Sequence, residues 1–297
     1  MRPQITEKKL LEIFIGCDDF CQHFESWAKE NRPGVLQPIR GGLCSGEIMT
    51  ILIAYHLSGY KNFEYFYREW VLVLHQNDFP GAMSYKRFLC YIRRVFDYMF
   101  VYLMWLLKNT FRSGTYFMDS TKIPACHYLR RYSHKVFDGI AQIGKTSTGW
   151  FYGLKIHLII NHLGDLVKVE ITAGNVADND HTLLQKMLAG LTGTVFADKG
   201  YLTKLFQYFH EKGLTLITKV RKNMKNQLMP LPQRKVLAQR GIIESVFDLL
   251  KTVCNVDHTR HRSPINALTH MFAGLIAYQF MDDKPALILN NCFSAAA

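Results

Sequence analysis

The sequence predicts a mixed α/β fold, in which an α-helical N-terminal domain precedes a mixed sheet flanked by helices. Three observations carry that expectation. The first hundred residues read as helices punctuated by turns at Pro33-Gly34, Gly41-Gly42 and Pro80-Gly81. From residue 115 the grammar changes to short runs rich in β-branched and aromatic residues, broken by Gly, Asn and Asp. Later runs alternate with helical segments, the order that builds a sheet with helices packed on it.

The 297 residues suffice for two domains. The change of grammar divides them into a helical domain over 1–110, a sheet domain over 111–285 and a tail over 286–297. In the first, Ser45 caps a helix through about Ser58, Gly59 breaks it, and a second helix runs from Asn62 to His75. Two helices across a Gly turn are compatible with a DNA-reading helix-turn-helix. Simple αα packing is the better reading, because Glu64, Tyr65 and Glu69 read bases poorly and the region is nearly neutral. The apolar run Tyr98–Leu107 is far shorter than the ~18–20 residues that cross a membrane, and predicts a buried helix.

Five strands are expected in the second domain. Thr115–Thr121, Trp150–Asn161 and Leu166–Thr172 form an antiparallel set, with Asn161–Gly164 as a hairpin turn. Asp178 or Asp180 caps a helix ending at Gly190, and Thr194–Ala197 is the fourth strand. A helix over Leu202–Lys212 stops at Gly213, and Thr215–Val220 is the fifth strand. Two helices follow, from about Gln239 to Val253 and from Asn266 to Met281.

Composition excludes several classes. Hydrophobic residues at 48% and charged residues at 20% rule out a disordered or collagen-like chain. The N-terminus lacks the apolar core of a secretory signal. Seven cysteines without a C-x-x-C pair fit neither a disulfide framework nor a zinc ribbon, and point to a reducing cytoplasm. His258-x-x-His261 and His127 with His134 likewise lack the paired cysteines of a zinc site.

The net charge of +12 calls for an anionic partner. It is unevenly spread: +1 over residues 1–100, +3 over 101–198, +9 over 199–240 and −1 over the rest. A block so one-sided predicts contact with a polyanion, chiefly through Lys219, Arg221, Lys222 and Lys225.

Two acids end apolar strands, Asp119 after Tyr116-Phe117-Met118 and Asp198 after Val195-Phe196-Ala197. Such positions set a carboxylate at the sheet's edge, where ligands gather. On the helix QRGIIESVFDLLK, Arg240, Glu244, Asp248 and Lys251 share one polar stripe, and apolar residues fill the remaining surface. Glu170, between Val169 and Ile171, is a sheet-surface residue and a weaker third acid.

Asp119 on a first strand, Asp198 in A-D-K-G-Y and Glu244 on a later helix resemble the DDE triad of insertion-sequence transposases. The R-x-x-x-E-x-x-x-x-x-x-K spacing of Arg240, Glu244 and Lys251 is similar to the signature of those enzymes. The A-D-K-G-Y form and Met83-Ser-Tyr-Lys-Arg-Phe further resemble the bacterial insertion-sequence 982 family. The likeness spans about 80 to 285, with Leu237 where many relatives carry Tyr, and no room for a β domain before the Glu.

That resemblance implies an RNase H-like catalytic core and a transposase that cuts DNA at element ends and joins the freed 3′-hydroxyl to target DNA. It implies double-stranded DNA as partner, a homodimer on DNA, and work at the bacterial nucleoid. Phosphodiester cleavage needs an activated water and charge neutralisation, which two Mg²⁺ or Mn²⁺ ions about 3.5–4 Å apart supply. Hard cations take oxygen ligands, so Asp119 is expected to bridge both ions, with Asp198 on one and Glu244 on the other. Arg240 and Lys251, roughly 6 and 10 Å from Glu244 along the helix axis, are expected to grip flanking phosphates. Lys122 and Lys199, beside the two Asp, share that role. The alternatives are a nuclease of the same class without strand transfer, and a DNA-binding relative without catalysis.

Overall fold

The computed structural model describes residues 5–34, 36, 42–146, 149–201, 204–218, 230–257 and 261–288. The chain divides into two compact units, residues 1–106 with 249–281 and residues 107–248 with 282–297.

The first unit opens with α1 (Glu7–Asn31), capped by the Thr6 hydroxyl, which accepts from the Lys9 amide at 3.2 Å. In α2 (Ser45–Leu57) the cap is Cys44 rather than Ser45. The Cys44 thiol accepts from the Glu47 amide at 3.4 Å, and Glu47 accepts from the Cys44 amide at 2.6 Å. The Ser45 hydroxyl instead donates to Glu25 Oε1 at 2.9 Å. The next helix begins as α3 (Phe63–Phe66), capped by Asn62, and continues as a π-helical turn over Tyr67–Leu74. There the His75 amide donates to the Trp70 carbonyl, five residues back, at 2.9 Å. Two more helices follow, α4 (Tyr85–Ile92) and α5 (Phe96–Asn109). The helix α5 is buried on one side only: Tyr98, Met99, Tyr102 and Leu103 are covered, whereas Phe100, Met104 and Trp105 stay exposed.

The second unit carries the sheet. Its strands are β1 (Thr115–Cys126), β2 (Gln142–Thr146), β3 (Gly149–Asn161), β4 (Leu166–Ala173), β5 (Gly193–Ala197) and β6 (Leu214–Thr218). The order is β2-β3-β1-β5-β6, with β4 also paired to β3. Pairs among β1 to β4 are antiparallel, and β1–β5 and β5–β6 are parallel. The β3–β4 hairpin turns at Asn161–Gly164, where Gly164 takes φ +77°, a backbone conformation glycine adopts without a Cβ clash. Five strands follow the sequence expectation. The sixth, β2, is polar and largely exposed, so it lacks the apolar alternation that marks a half-buried strand.

Helices cover the sheet. After β4 comes α6 (His181–Leu188), capped by Asp180, whose carboxylate accepts from the Leu183 amide at 2.9 Å. Leu183, Leu184, Met187 and Leu188 of α6 pack with Tyr116, Met118, Val195 and Leu216 from the central strands. Then follow α7 (Phe206–Glu211), α8 (Leu231–Ala238) and a 3₁₀ turn, Gln239–Gly241, leading into α9 (Ile242–Thr252). The helix α9 passes from the second unit into the first, where α10 (Pro264–Gln279) packs on α2. Between those two helices His56 donates from Nδ1 to the Cys254 carbonyl at 2.6 Å, and His270 Nδ1 meets His56 Nε2 at 3.3 Å.

Among the described residues, no helix is long and apolar enough to cross a membrane.

Candidate active site

The central strands deliver two of the acids. Tyr116, Phe117 and Met118 are buried at 0–1% exposure and hold β1 in the middle of the sheet. On β5, Val195, Phe196 and Ala197 are fully buried. The parallel register pairs Met118 with Ala197. Asp119 and Asp198 are therefore the next residues on adjoining strands, whose spacing is about 5 Å. A 3₁₀ turn, Lys199–Tyr201, follows at once, with the Tyr201 amide donating to the Asp198 carbonyl at 3.0 Å.

The third acid arrives on α9, and Arg240 ties it to the first. One guanidinium nitrogen donates to Asp119 Oδ2 at 2.7 Å and the other to Glu244 Oε1 at 3.1 Å. The Arg240 side chain is only 10% exposed, against 65% for Glu244. A buried cation thus lies between two acids, weakly screened from Asp119 and more strongly from the exposed Glu244. Burial pushes the Asp119 carboxyl above its usual range, and the Ser120 amide and the Arg240 guanidinium oppose that rise.

A fourth carboxylate belongs to the same cluster. Asp178 Oδ1 accepts from the Ser120 hydroxyl at 2.8 Å and from Lys155 Nζ at 3.2 Å. Lys155 also donates to the Val176 carbonyl at 2.9 Å, which fixes the loop that carries Asp178. His157, fully buried on β3 and paired in register with Ser120, lies with Nδ1 3.9 Å from Asp178. Its Nε2 meets the Thr172 hydroxyl at 3.0 Å, and that hydroxyl donates to the Ala173 carbonyl. Thr172 therefore accepts from His157 Nε2–H, so in the neutral ring the lone pair lies on Nδ1. Burial lowers the His157 pKa to about 4, more than the Asp178 carboxylate raises it. Burial, with Asp178 and Asp119 nearby, holds the Tyr201 hydroxyl well above the ordinary tyrosine value.

The sequence-predicted residues are distributed unevenly around this centre. Asp119, Glu244 and Arg240 meet directly, and Asp198 adjoins through the sheet register. Lys199 is exposed on the turn after Asp198, and Lys122 lies on β1 opposite Lys155. Lys251 occupies the last turn of α9, in the first unit. Lys219, Arg221, Lys222 and Lys225 lie outside the described residues. Asp178, Ser120, Lys155 and His157 were missed as site residues. Asp178 read as a helix-cap candidate, a part that Asp180 takes; the strand register pairing Ser120 with His157 is the signal that links the others.

Carboxylate oxygens are the donors that Mg²⁺ and Mn²⁺ prefer. A guanidinium held between Asp119 and Glu244 shows that the place accommodates positive charge. The donor chemistry fits such ions, although among the described residues no three acidic, His or Cys groups converge tightly enough to hold one.

The family described as Transposase DDE domain matches residues 109–264, more than half of the chain. No curated protein matches it in sequence. In fold it is similar to the piggyBac transposase solved by cryo-EM as a synaptic complex with hairpin DNA. The TM-score is 0.50 at 12% identity, with 93% of this chain and 72% of that one covered. The mixed sheet with flanking helices is thus the RNase H-like fold of DDE enzymes.

Proposed function

The chain belongs to the transposase DDE-domain family, and from that premise we propose that it cleaves DNA at the ends of a mobile element and transfers the freed 3′-hydroxyl into target DNA. The observation that carries this reading is the meeting of Asp119 and Glu244, one from a strand and one from a helix, on the Arg240 guanidinium. In the first step a water oxygen bonds to phosphorus, the phosphorus–O3′ bond breaks, and the leaving 3′-oxygen takes a proton. In the second, that 3′-hydroxyl loses its proton and attacks a target phosphorus, expelling the target's own 3′-oxygen. No covalent bond to the protein is needed.

Asp119, Asp198 and Glu244 are the groups that would hold two Mg²⁺ or Mn²⁺ ions, which when bound supply charge neutralisation and a more acidic water. Arg240 then balances Asp119 and Glu244 when they carry no other cation. Lys122, Lys199 and Lys251 are suited to flanking phosphates, as point charges on flexible stems. The partner fits double-stranded DNA, as the piggyBac complex contains DNA, and a homodimer would bring two element ends together. The A-D-K-G-Y and Met83-Ser-Tyr-Lys-Arg-Phe forms favour a bacterial insertion sequence of the 982 family, acting at the nucleoid.

Asp119→Asn tests the reading. It keeps the side chain's shape, removes its charge, and should lower cleavage at least about 100-fold while duplex binding persists. Joined product from the unaltered protein separates a transposase from a nuclease that only cuts. Full cleavage by the variant would sink the assignment.

A further inference from the structure

The first unit contains two adjoining cavities that the catalytic reading does not use. The larger, of about 810 Å³, is an open groove edged by Lys86, Arg93 and Arg262. Among the described residues none of these three cations pairs with a carboxylate, and the acid beside them, Glu64, is engaged by Arg68 at 2.9 Å. Three cations thus edge the groove.

The smaller cavity, of about 210 Å³, shares Glu64, Tyr85, Leu89, His261 and Asn266 with the groove and leads inward from it. Phe63 and Tyr85 give it aromatic walls, their rings 6.1 Å apart. Tyr55 lines it at 1% exposure, and among the described residues the Tyr55 hydroxyl has no hydrogen-bond partner. Asn266 Oδ1, also on the lining, is likewise buried without a partner among the described residues. The cavity thus offers an orphaned hydroxyl and an orphaned amide oxygen, and buried polar groups seldom stay unsatisfied. His270 adds a third polar edge. The Cys254 carbonyl can only accept, so His56 carries its proton on Nδ1 and, with both rings neutral, accepts from His270 Nδ1–H.

A planar group with donors and acceptors on its rim fits the inner cavity, and an anion fits the groove. About 210 Å³ exceeds the ~150 Å³ that accepts a benzene ring. We infer that the two cavities form a nucleoside-phosphate site, with the base in the smaller cavity against the walls that Phe63 and Tyr85 provide and the phosphate against Lys86, Arg93 and Arg262. Stacking on aromatic rings tolerates any base, and hydrogen bonds to the base edge engage Tyr55 and Asn266. The nucleotide is either one turned out of a DNA strand or a free mononucleotide. The DNA source rests on the transposase reading, whereas the free-nucleotide source does not.

The test uses the full chain without divalent ions, so that no cleavage occurs and a failed catalytic assignment leaves it intact. A duplex with one bulged 2-aminopurine, the same duplex fully paired, and deoxyadenosine monophosphate are each titrated by fluorescence or calorimetry. The bulged duplex should bind about ten-fold tighter than the paired one, with its emission altered by stacking, or the mononucleotide should bind by itself. Either result names the source. Tyr55→Phe, which removes only the orphaned hydroxyl, should weaken whichever ligand binds by about 2- to 10-fold. Arg93→Ala with Arg262→Ala should weaken it further. If the mononucleotide does not bind and the two duplexes bind equally, the inference fails and the cavity holds water alone. It fails too if binding survives Tyr55→Phe and Arg93→Ala/Arg262→Ala unchanged.

Discussion

Asp178 is where the chemistry of single residues is most open to experiment. It accepts from Ser120, the neighbour of Asp119, and neutralises Lys155, whose side chain is only 10% exposed. Asp178→Asn keeps the acceptor for Ser120 but strands a buried ammonium, and should cost about 1 to 3 kcal/mol in urea titration. Adding Lys155→Met removes the stranded charge and should recover part of the loss; no recovery would mean that the pair is not coupled. His157 gives a pH signature. Its pKa falls from 6.5 to about 4 on folding, so the unfolded chain binds the extra proton between those values. The stabilisation is complete above pH 6.5 and is lost as pH falls toward 4, up to about 3 kcal/mol in all. Asp178 favours the charged ring and Lys155 opposes it, but burial dominates. The stability difference between the unaltered protein and His157→Gln should therefore shrink across that window. A flat difference would assign the acid sensitivity to other groups. At this scale the sequence singles out Asp119, Asp198 and Glu244 as candidates by what precedes each, an apolar strand or a helical stripe, and by their joint resemblance to a DDE triad. It could not disclose Arg240's bond to Asp119, which crosses from helix to strand without any fixed spacing.

Elements were legible where their pattern was local. The β3–β4 hairpin announces itself through Asn161 and Gly164, and α6 through Asp180 and Gly190. The turn over Tyr67–Leu74 was read as ordinary helix because a π-helical bond changes which carbonyl is used and leaves apolar spacing nearly intact. Helix α8 went unread, since LPQRKVLA follows a basic block and has only Val236 and Leu237 buried. Packing of α10 on α2 depends on long-range contacts such as His56–His270, which no window of sequence contains. Within β3, Gly153 sits where the register with β1 shifts between Pro124 and Cys126. A Cβ there would overlap the Ile123 carbonyl oxygen, so the two strands can approach only around a glycine. Gly153→Ala should cost about 1 to 3 kcal/mol, seen as a lower urea midpoint with an unchanged slope. An unshifted midpoint would show that β1 yields at its bulge.

At the scale of the whole molecule the question, on the transposase reading, is which part of the chain would hold DNA. Of the net +12, the segment 199–240 contributes +9 and lies in sequence between Asp198 and Glu244, while residues 1–100 contribute +1. Polyanion binding releases counterions in proportion to the phosphates neutralised, so the salt dependence of affinity counts the cations engaged. Replacing Lys219, Arg221, Lys222 and Lys225 with Gln should weaken binding equally for all duplex sequences. It should also make the slope of log K against log salt shallower by up to about 3.6, if all four meet duplex phosphates. Replacing Lys8, Lys29 and Arg32 of the near-neutral N-terminal hundred should leave that slope nearly unchanged. The two sets together discriminate between capture beside the proposed catalytic acids and capture by the helical segment. If the first set leaves the slope intact and the second flattens it, DNA is gripped at the N-terminus and the basic block is a solvated surface.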